Sequence, residues 1–365
     1  MTSFGMLNRI QVDGFKSIKS IDIELRSLNL LIGANGAGKS NFIQFFRFIH
    51  SIQDKSLQFY VAQNLGADKI LHFGRKHTKE LKVHLKFSPN GYGCRLAPTN
   101  SGSLLFTEEY CEFFGDEAGY KGGTKTIVLA HVGAIESSLP DQPSTARPPG
   151  HVVRYLRDWK IYHFHDTSES ARVKQPTRIG DSDTLHTDAG NLAAFLRRIR
   201  DTPNYRRIVQ TIQRIAPFFH DFYLEPESDN PSAIRLRWKH RGAEDAFDAN
   251  DLSDGTLRFI ALTTLLLQPK LPTIILLDEP ELGLHPYALQ ILAGMMRSVS
   301  EQTQIIASTQ SVTLANQFDW EDLIVVDRVG EASRFRRLEA DELADWMGEY
   351  GLGELWEKNL LGGTP

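Results

Sequence analysis

The sequence predicts an α/β fold built on a largely parallel core sheet, and three patterns lead to that class. From residue 253 the chain alternates helix, strand (273–277), helix (286–298), strand (303–307), helix (311–317) and strand (323–327). Near the N-terminus the short run Leu28 to Ile32 has the form of a strand buried on both faces, and it passes directly into a glycine-rich turn. Residues 80–130, in contrast, read as strands separated by turn residues such as Ser88-Pro89-Asn90-Gly91, the pattern of an antiparallel β subdomain.

The remaining elements follow in order. Ile10 and Val12, then Ile18, Ile21, Ile23 and Leu25, alternate as two strands around a turn or bulge at 13–17. An aromatic-rich helix is expected at 39–50. Residues 136–150 are rich in Pro and Ser and read as a mobile loop. A strand at 160–164, a polar stretch at 166–187, amphipathic helices at 188–200 and 204–215 and strand signals at 233–240 complete the middle, with a helical lobe among them. The expected segments are 1–130 (phosphate loop and antiparallel subdomain), 131–187 (a loop-rich insertion with one core strand) and 188–250 (helices and strands). Residues 251–330 form the C-terminal lobe, and 331–365 are expected to be tail helices.

Composition narrows the function. The chain has 365 residues, 41 Lys+Arg against 45 Asp+Glu and a net charge of −4, so a uniformly basic nucleic-acid binder is excluded and DNA would need a local patch. The only cysteines, Cys94 and Cys111, form neither a close metal-type pair nor a disulfide framework. The opening residues lack the apolar stretch of a leader, and the apolar runs 260–267 and 273–277 fall far short of the roughly 20 residues of a spanning helix. A cytoplasmic protein that does not engage a membrane is the expectation.

Residues 33–40, GANGAGKS, are a complete G-x-x-x-x-G-K-[ST] phosphate loop between a strand and a helix. Gly33, Gly36 and Gly38 let backbone N–H groups converge at the positive end of the helix, Lys39 offers an ammonium to the β- and γ-phosphates, and Ser40 offers a hydroxyl to Mg²⁺. The apolar strand 273–277 ends in Asp278 and Glu279, which suits a carboxylate beside Mg²⁺ followed by one that polarises water. Ser253 or Asp254 can cap the apolar helix that follows.

In this order, GANGAGKSN, LSDGT and LLDEPELGLHP resemble the RecF/SMC/OLD-like branch of ABC-type ATPases, and more closely its small stand-alone bacterial AAA-family ATPases. The opening Ile10-x-x-x-x-Phe15-Lys16-Ser17-Ile18 matches that branch's N-terminal strand. The resemblance implies an ABC-type ATPase head that binds ATP and Mg²⁺. Gly33, Asn35, Gly36, Ala37, Gly38, Lys39, Ser40 and Asn41 would line the phosphates, with Ser40 and Asp278 on the metal and Glu279 as catalytic acid/base. Leu252 to Gly255, with Ser253 and Gly255 as contacts, would be a signature reaching the γ-phosphate held by a second copy, and 281–285 would cross the dimer seam. A switch histidine is often found where this chain has Gln310, which can bond a γ-phosphate but cannot exchange a proton near pH 7, so hydrolysis is expected to be slow. No glutamine stands at the tip of strand 160–164, where a Mg²⁺-sensing glutamine would be looked for.

The long stretch from Ser40 to Ser253 holds no heptads, which excludes a coiled-coil structural-maintenance protein. The expected partners are a second copy through ATP, a separately encoded nuclease or toxin in antiphage defence, and DNA as an alternative in a RecF-like repair role or a slow ATP-gated scaffold. His163, His165 and Asp166 are a weak metal pattern, better read as packed or surface histidines, and His285 before Pro286 is expected to order a turn. The arginines at 197, 198, 200, 206, 207 and 214 are either a solvated helix face or the partner surface.

Overall fold

A computed structural model of the chain describes residues 6–119, 123–130, 132–343 and 351–363. The chain forms two compact units, one of Met1–Trp159, Thr273–Leu276 and Gln304–Pro365, the other of Lys160–Pro272 and Leu277–Thr303. Each gathers stretches from several of the consecutive segments expected above.

The first unit carries both kinds of sheet that the sequence predicts. The antiparallel one has the spatial order Ile18–Glu24, Arg9–Phe15, Leu81–Phe87, Asn90–Pro98, Leu104–Phe114 and Thr124–Val128. In the other, Leu28–Ile32 pairs in parallel with Gln304–Thr309 on one side and Leu323–Val329 on the other. Ile274–Asp278 and Trp159–Tyr162 continue this sheet beyond Gln304–Thr309, and it is within these two strands that the chain passes from one unit to the other.

Leu28–Ile32 is buried along its whole length, as a central parallel strand must be. Its one polar residue, Asn29, is satisfied on all sides: its Oδ1 accepts from Arg26 N at 2.9 Å and from Arg337, and its Nδ2 donates to Arg26 O at 2.7 Å and Ile305 O at 3.2 Å. The helix Lys39–Gln53 buries Phe42, Phe45, Phe46 and Phe48, with Phe15 packed edge-on against Phe45 at 5.8 Å. Each such ring contributes roughly 1.5–3 kcal/mol on burial, enough to anchor the start of the helix against the sheet.

Two expectations are corrected here. Residues 136–150 are not a loose loop. Glu136 accepts from Leu57 N and Gln58 N at 3.0 Å each, capping the helix Leu57–Gln63, and Lys55 pairs with Asp141 at 2.5 Å. A helix, Pro149–Arg157, then begins inside the Pro-rich stretch. The 331–365 tail is not wholly helical either: Ala332–Arg337 is a strand antiparallel to Leu323–Val329, and short helices follow at Ala340–Leu343 and Leu352–Glu357. In both cases the partners are too far away in sequence to leave a local signal.

The second unit is the helical lobe. Leu192–Ile199, Pro203–Ile215, Asp254–Leu267 and Pro286–Ser300 are its helices. A small sheet, ordered Phe219–Tyr223, Arg237–His240 and Ala246–Asp248, packs around Phe219, Phe222 and Trp238. No helix among the described residues is long and apolar enough to cross a membrane.

Candidate functional site

The phosphate loop lies in the first unit and leaves the C-terminal end of the central parallel strand, where open α/β sheets place their ligands. Ile32 pairs with Thr309, so Gly33 and Gln310 leave neighbouring strands side by side at one sheet edge. Lys39 is 4% exposed, and its ammonium donates to Gly33 O at 2.5 Å and Ala34 O at 3.0 Å, which curls the loop around it. Gly38 has φ +121°, and a Cβ there would lie 2.0 Å from Ser333 Oγ. Glycine is required at 38 for its conformation and because the protein itself approaches so closely.

That approach belongs to a polar bracket the sequence did not reveal. Ser333 Oγ donates to Ala37 O at 2.5 Å and lies 2.7 Å from Ser17 Oγ, which accepts from Asn41 Nδ2 at 2.7 Å. Asn41, expected to line the phosphates, thus has its amide directed at Ser17. Asn35, Gly36 and Ser40 are exposed, and nothing lies within 4 Å of where a Gly36 Cβ would stand, so this side of the loop is open. The first turn of Lys39–Gln53 contains no acid to offset the helix dipole. An open rim of backbone, an uncompensated helix N-terminus and an ammonium at its base suit the phosphates of a nucleotide, with the Ser40 hydroxyl available to its Mg²⁺.

Asp278, Glu279 and the Ser253 turn belong to the second unit. Asp278 ends its strand, and Glu279, just before Pro280, has φ +45°, a left-handed conformation that side-chain-bearing residues avoid. His165 Nε2 donates to Asp278 O at 2.6 Å, so the ring carries its proton on that nitrogen. Arg258 then ties the neighbouring segments together: Nε donates to Phe164 O at 3.2 Å, Nη2 to His165 O at 2.8 Å and Nη1 to Leu282 O at 3.0 Å. Arg258 carries no sequence signal beyond its position in the first turns of the capped helix.

Ser253 caps the helix Asp254–Leu267 through Thr256 N at 3.2 Å, as the sequence predicts, and both Ser253 and Asp254 are exposed. Gly255 must lack a side chain, since a Cβ would fall 2.3 Å from Gly283 O in the turn after the acids. His285 is the N-cap of Pro286–Ser300, its Nδ1 accepting from Tyr287 N at 3.3 Å.

His163, His165 and Asp166 do not act together. The strand stops at Tyr162, short of the expected 164, and Asp166 accepts from Ser168 N and Oγ while His165 serves Asp278 O. Among the described residues no group of three or more His, Cys, Asp or Glu is placed to hold a metal. The arginine stretch also divides. Arg197 donates to Leu224 O and lies 3.7 Å from Glu225, Arg200 lies 3.3 Å from Glu225, and Arg198 pairs with Asp183. Arg197 and Arg198 are thus engaged by acids and carbonyls of their own unit, Arg198 in an ion pair at the surface.

The fold and the loop together define the class, an AAA-type ATPase domain whose α/β framework has the fold of an ABC-type Smc head. Residues 131–316, just over half of the chain, match the family described as "AAA domain, putative AbiEii toxin, Type IV TA system", and the chain belongs to that family. Residues 6–118 match a second model, "AAA ATPase domain". Among solved structures, an Smc head bound to the C-winged helix domain of ScpA is similar with a TM-score of 0.58 and 14% identity, over 93% of this chain and 99% of that one. An Smc head domain with an extended coiled coil, bound to the C-terminal domain of ScpA and derived from Pyrococcus furiosus, gives 0.56 and 14%, over 94% and 98%. At that identity the likeness is one of fold. No curated protein matches the sequence.

Proposed function

We propose that the protein is an ATP-hydrolysing switch in which two copies close on ATP and regulate a separately encoded effector, a nuclease or toxin, in antiphage or genome defence. The observation that carries this reading is the exposed N-terminus of the helix Asp254–Leu267, capped by Ser253, in a chain with a complete phosphate loop of its own. A second helix N-terminus open to solvent offers the Ser253 hydroxyl and backbone N–H groups to the γ-phosphate of nucleotide bound to another copy, with Asp254 in its first turn offsetting part of the dipole. Lys39 and the 33–41 backbone hold the phosphates, Ser40 and Asp278 hold Mg²⁺, Glu279 accepts a proton from water, and Gln310 bonds the γ-phosphate. Bound Mg²⁺ supplies charge neutralisation to the phosphates. Gln310 has no proton to exchange near pH 7, which makes turnover slow.

The effector reading is supported by the family description, which names a toxin of a type IV toxin–antitoxin system. It is also supported by the two Smc heads of like fold, each of which is bound to a domain of a partner protein. The test is Glu279→Gln, which keeps the side-chain shape and removes the base. With ATP and Mg²⁺ its mass by light scattering should double relative to the same variant without nucleotide. A mass that ATP does not change sinks the dimer.

A further inference from the structure

The helices Pro203–Ile215 and Pro286–Ser300 both pack on Asp254–Leu267 and leave a groove of about 540 Å³ between them. Its floor is apolar, made by Leu267, Ile291 and Met295, each less than a tenth exposed. Arg207 and Arg214 line the groove from Pro203–Ile215, and Tyr287, 44% exposed, lines it from the other helix. Neither helix contains an Asp or Glu, although acids outnumber bases in the chain as a whole.

The charge here is not consumed internally. Arg197, Arg198, Arg200, Arg235 and Arg237 of the same unit all lie within 4 Å of a carboxylate, whereas Arg207 and Arg214 have no such partner among the described residues. Gly294 adds an independent sign. It sits inside Pro286–Ser300 and lines the groove, yet nothing lies within 4 Å of where its Cβ would be. Glycine weakens a helix interior, and no packing inside the unit calls for it here. Its effect is to leave room for something to approach the backbone closely.

We propose that this groove binds an acidic amphipathic helix of a partner protein. Two helices flanking an apolar floor can accept a third helix by ordinary ridge-and-groove packing. Arg207 and Arg214 stand two turns apart, about 10.5 Å along the axis, and match acids at i and i+7 flanking apolar residues at i+3 and i+4. Duplex DNA would leave the apolar floor unused. The helix beneath the groove begins at Ser253, and Pro286–Ser300 follows directly on the turn after Glu279, so the occupant rests on the two elements that the proposed switch uses. That link to ATP depends on the functional reading above; the binding itself does not.

The experiment uses the full chain and a fluorescein-labelled helical peptide of ~18 residues, about five turns, with Glu at i and i+7 around Leu and Phe. A twin peptide carries Lys for Glu, and a labelled DNA duplex is the third probe. Anisotropy should show saturable binding of the acidic peptide and binding weaker by at least about tenfold for the twin. Arg207→Glu with Arg214→Glu should reverse that preference. Gly294→Leu, which puts a side chain into the open groove without altering charge and favours the helix, should weaken the acidic peptide by at least about tenfold. Lys39→Ala should leave peptide binding unchanged, so a failed ATP site and a failed groove are read separately. No saturable binding of the acidic peptide, unchanged affinity in Gly294→Leu, or DNA bound in the peptide's place and lost with the same arginine changes would each overturn the proposal.

Discussion

Glu279 is held in a left-handed backbone conformation, which costs on the order of 1–3 kcal/mol for a residue with a side chain. Its neighbours over-determine it. Pro280 follows, Leu282 N donates back to Glu279 O at 3.2 Å, and His165 fixes the preceding carbonyl. The conformation ends the extended run of the strand that carries Asp278. An amide that tolerates the left-handed region should relieve this strain better than one that does not. Glu279→Asn and Glu279→Gln both remove the charge, and the Asn variant should melt at the higher temperature by scanning calorimetry. A Gln variant that is as stable or more stable would show that the backbone there is unstrained. The pair DE stands out in the sequence because its spacing after a buried strand is local. The conformation of its second member was not, because it arises from His165 and the turn that follows.

At the scale of elements, the strand Leu104–Phe114 carries a fully buried acid, Glu109. It accepts from Tyr92 Oη at 2.8 Å, Ser137 Oγ at 2.5 Å and Ser138 N at 2.9 Å, and so pins the start of the 136–150 stretch to the antiparallel sheet. Burial raises its pKa above the usual carboxylate range, and the hydrogen bonds offset that only in part. The folded state therefore binds this proton more tightly than the unfolded one. The stabilising contribution is complete below the unfolded pKa and is lost as pH rises through the folded value. The difference in melting temperature between wild type and Glu109→Gln should accordingly favour wild type most at about pH 4 and shrink toward pH 7. A difference that stays constant or grows with pH would contradict the assignment. Ser137 and Ser138 read in sequence as loop residues because Ser favours turns. That a buried carboxylate on another strand engages them is a long-range fact, as is the pairing of Ala332–Arg337 that carries Ser333 to the phosphate loop.

For the whole molecule, both units are discontinuous in sequence, and the phosphate loop lies in one while Asp278, Glu279 and Ser253 lie in the other. A ligand held by the folded protein stabilises it by mass action, by about 2.7 kcal/mol at a hundredfold excess over its dissociation constant. ATP with Mg²⁺ should raise the melting temperature of the wild type and leave that of Lys39→Ala where it was, since the ammonium that Gly33 and Ala34 cradle is gone. An equal upward shift in both proteins would place the nucleotide elsewhere.

The sequence by itself determined what depends on neighbours along the chain. It placed the α/β alternation after residue 253, the antiparallel meander, the phosphate loop between a strand and a helix, and the Ser253 cap, all of which are written in spacings of a few residues. Only the tertiary structure decided which side chains a fold spends on itself. Arg197 and Arg198 read in sequence as either a solvated face or a partner surface, and folding brings Leu224, Glu225 and Asp183 within their reach, whereas Arg207 and Arg214, of the same type and a few residues on, keep no acid of their own among the described residues. The physical reason is that an ion pair or hydrogen bond acts over a few ångströms, and the sequence does not record which distant residues folding brings inside that range.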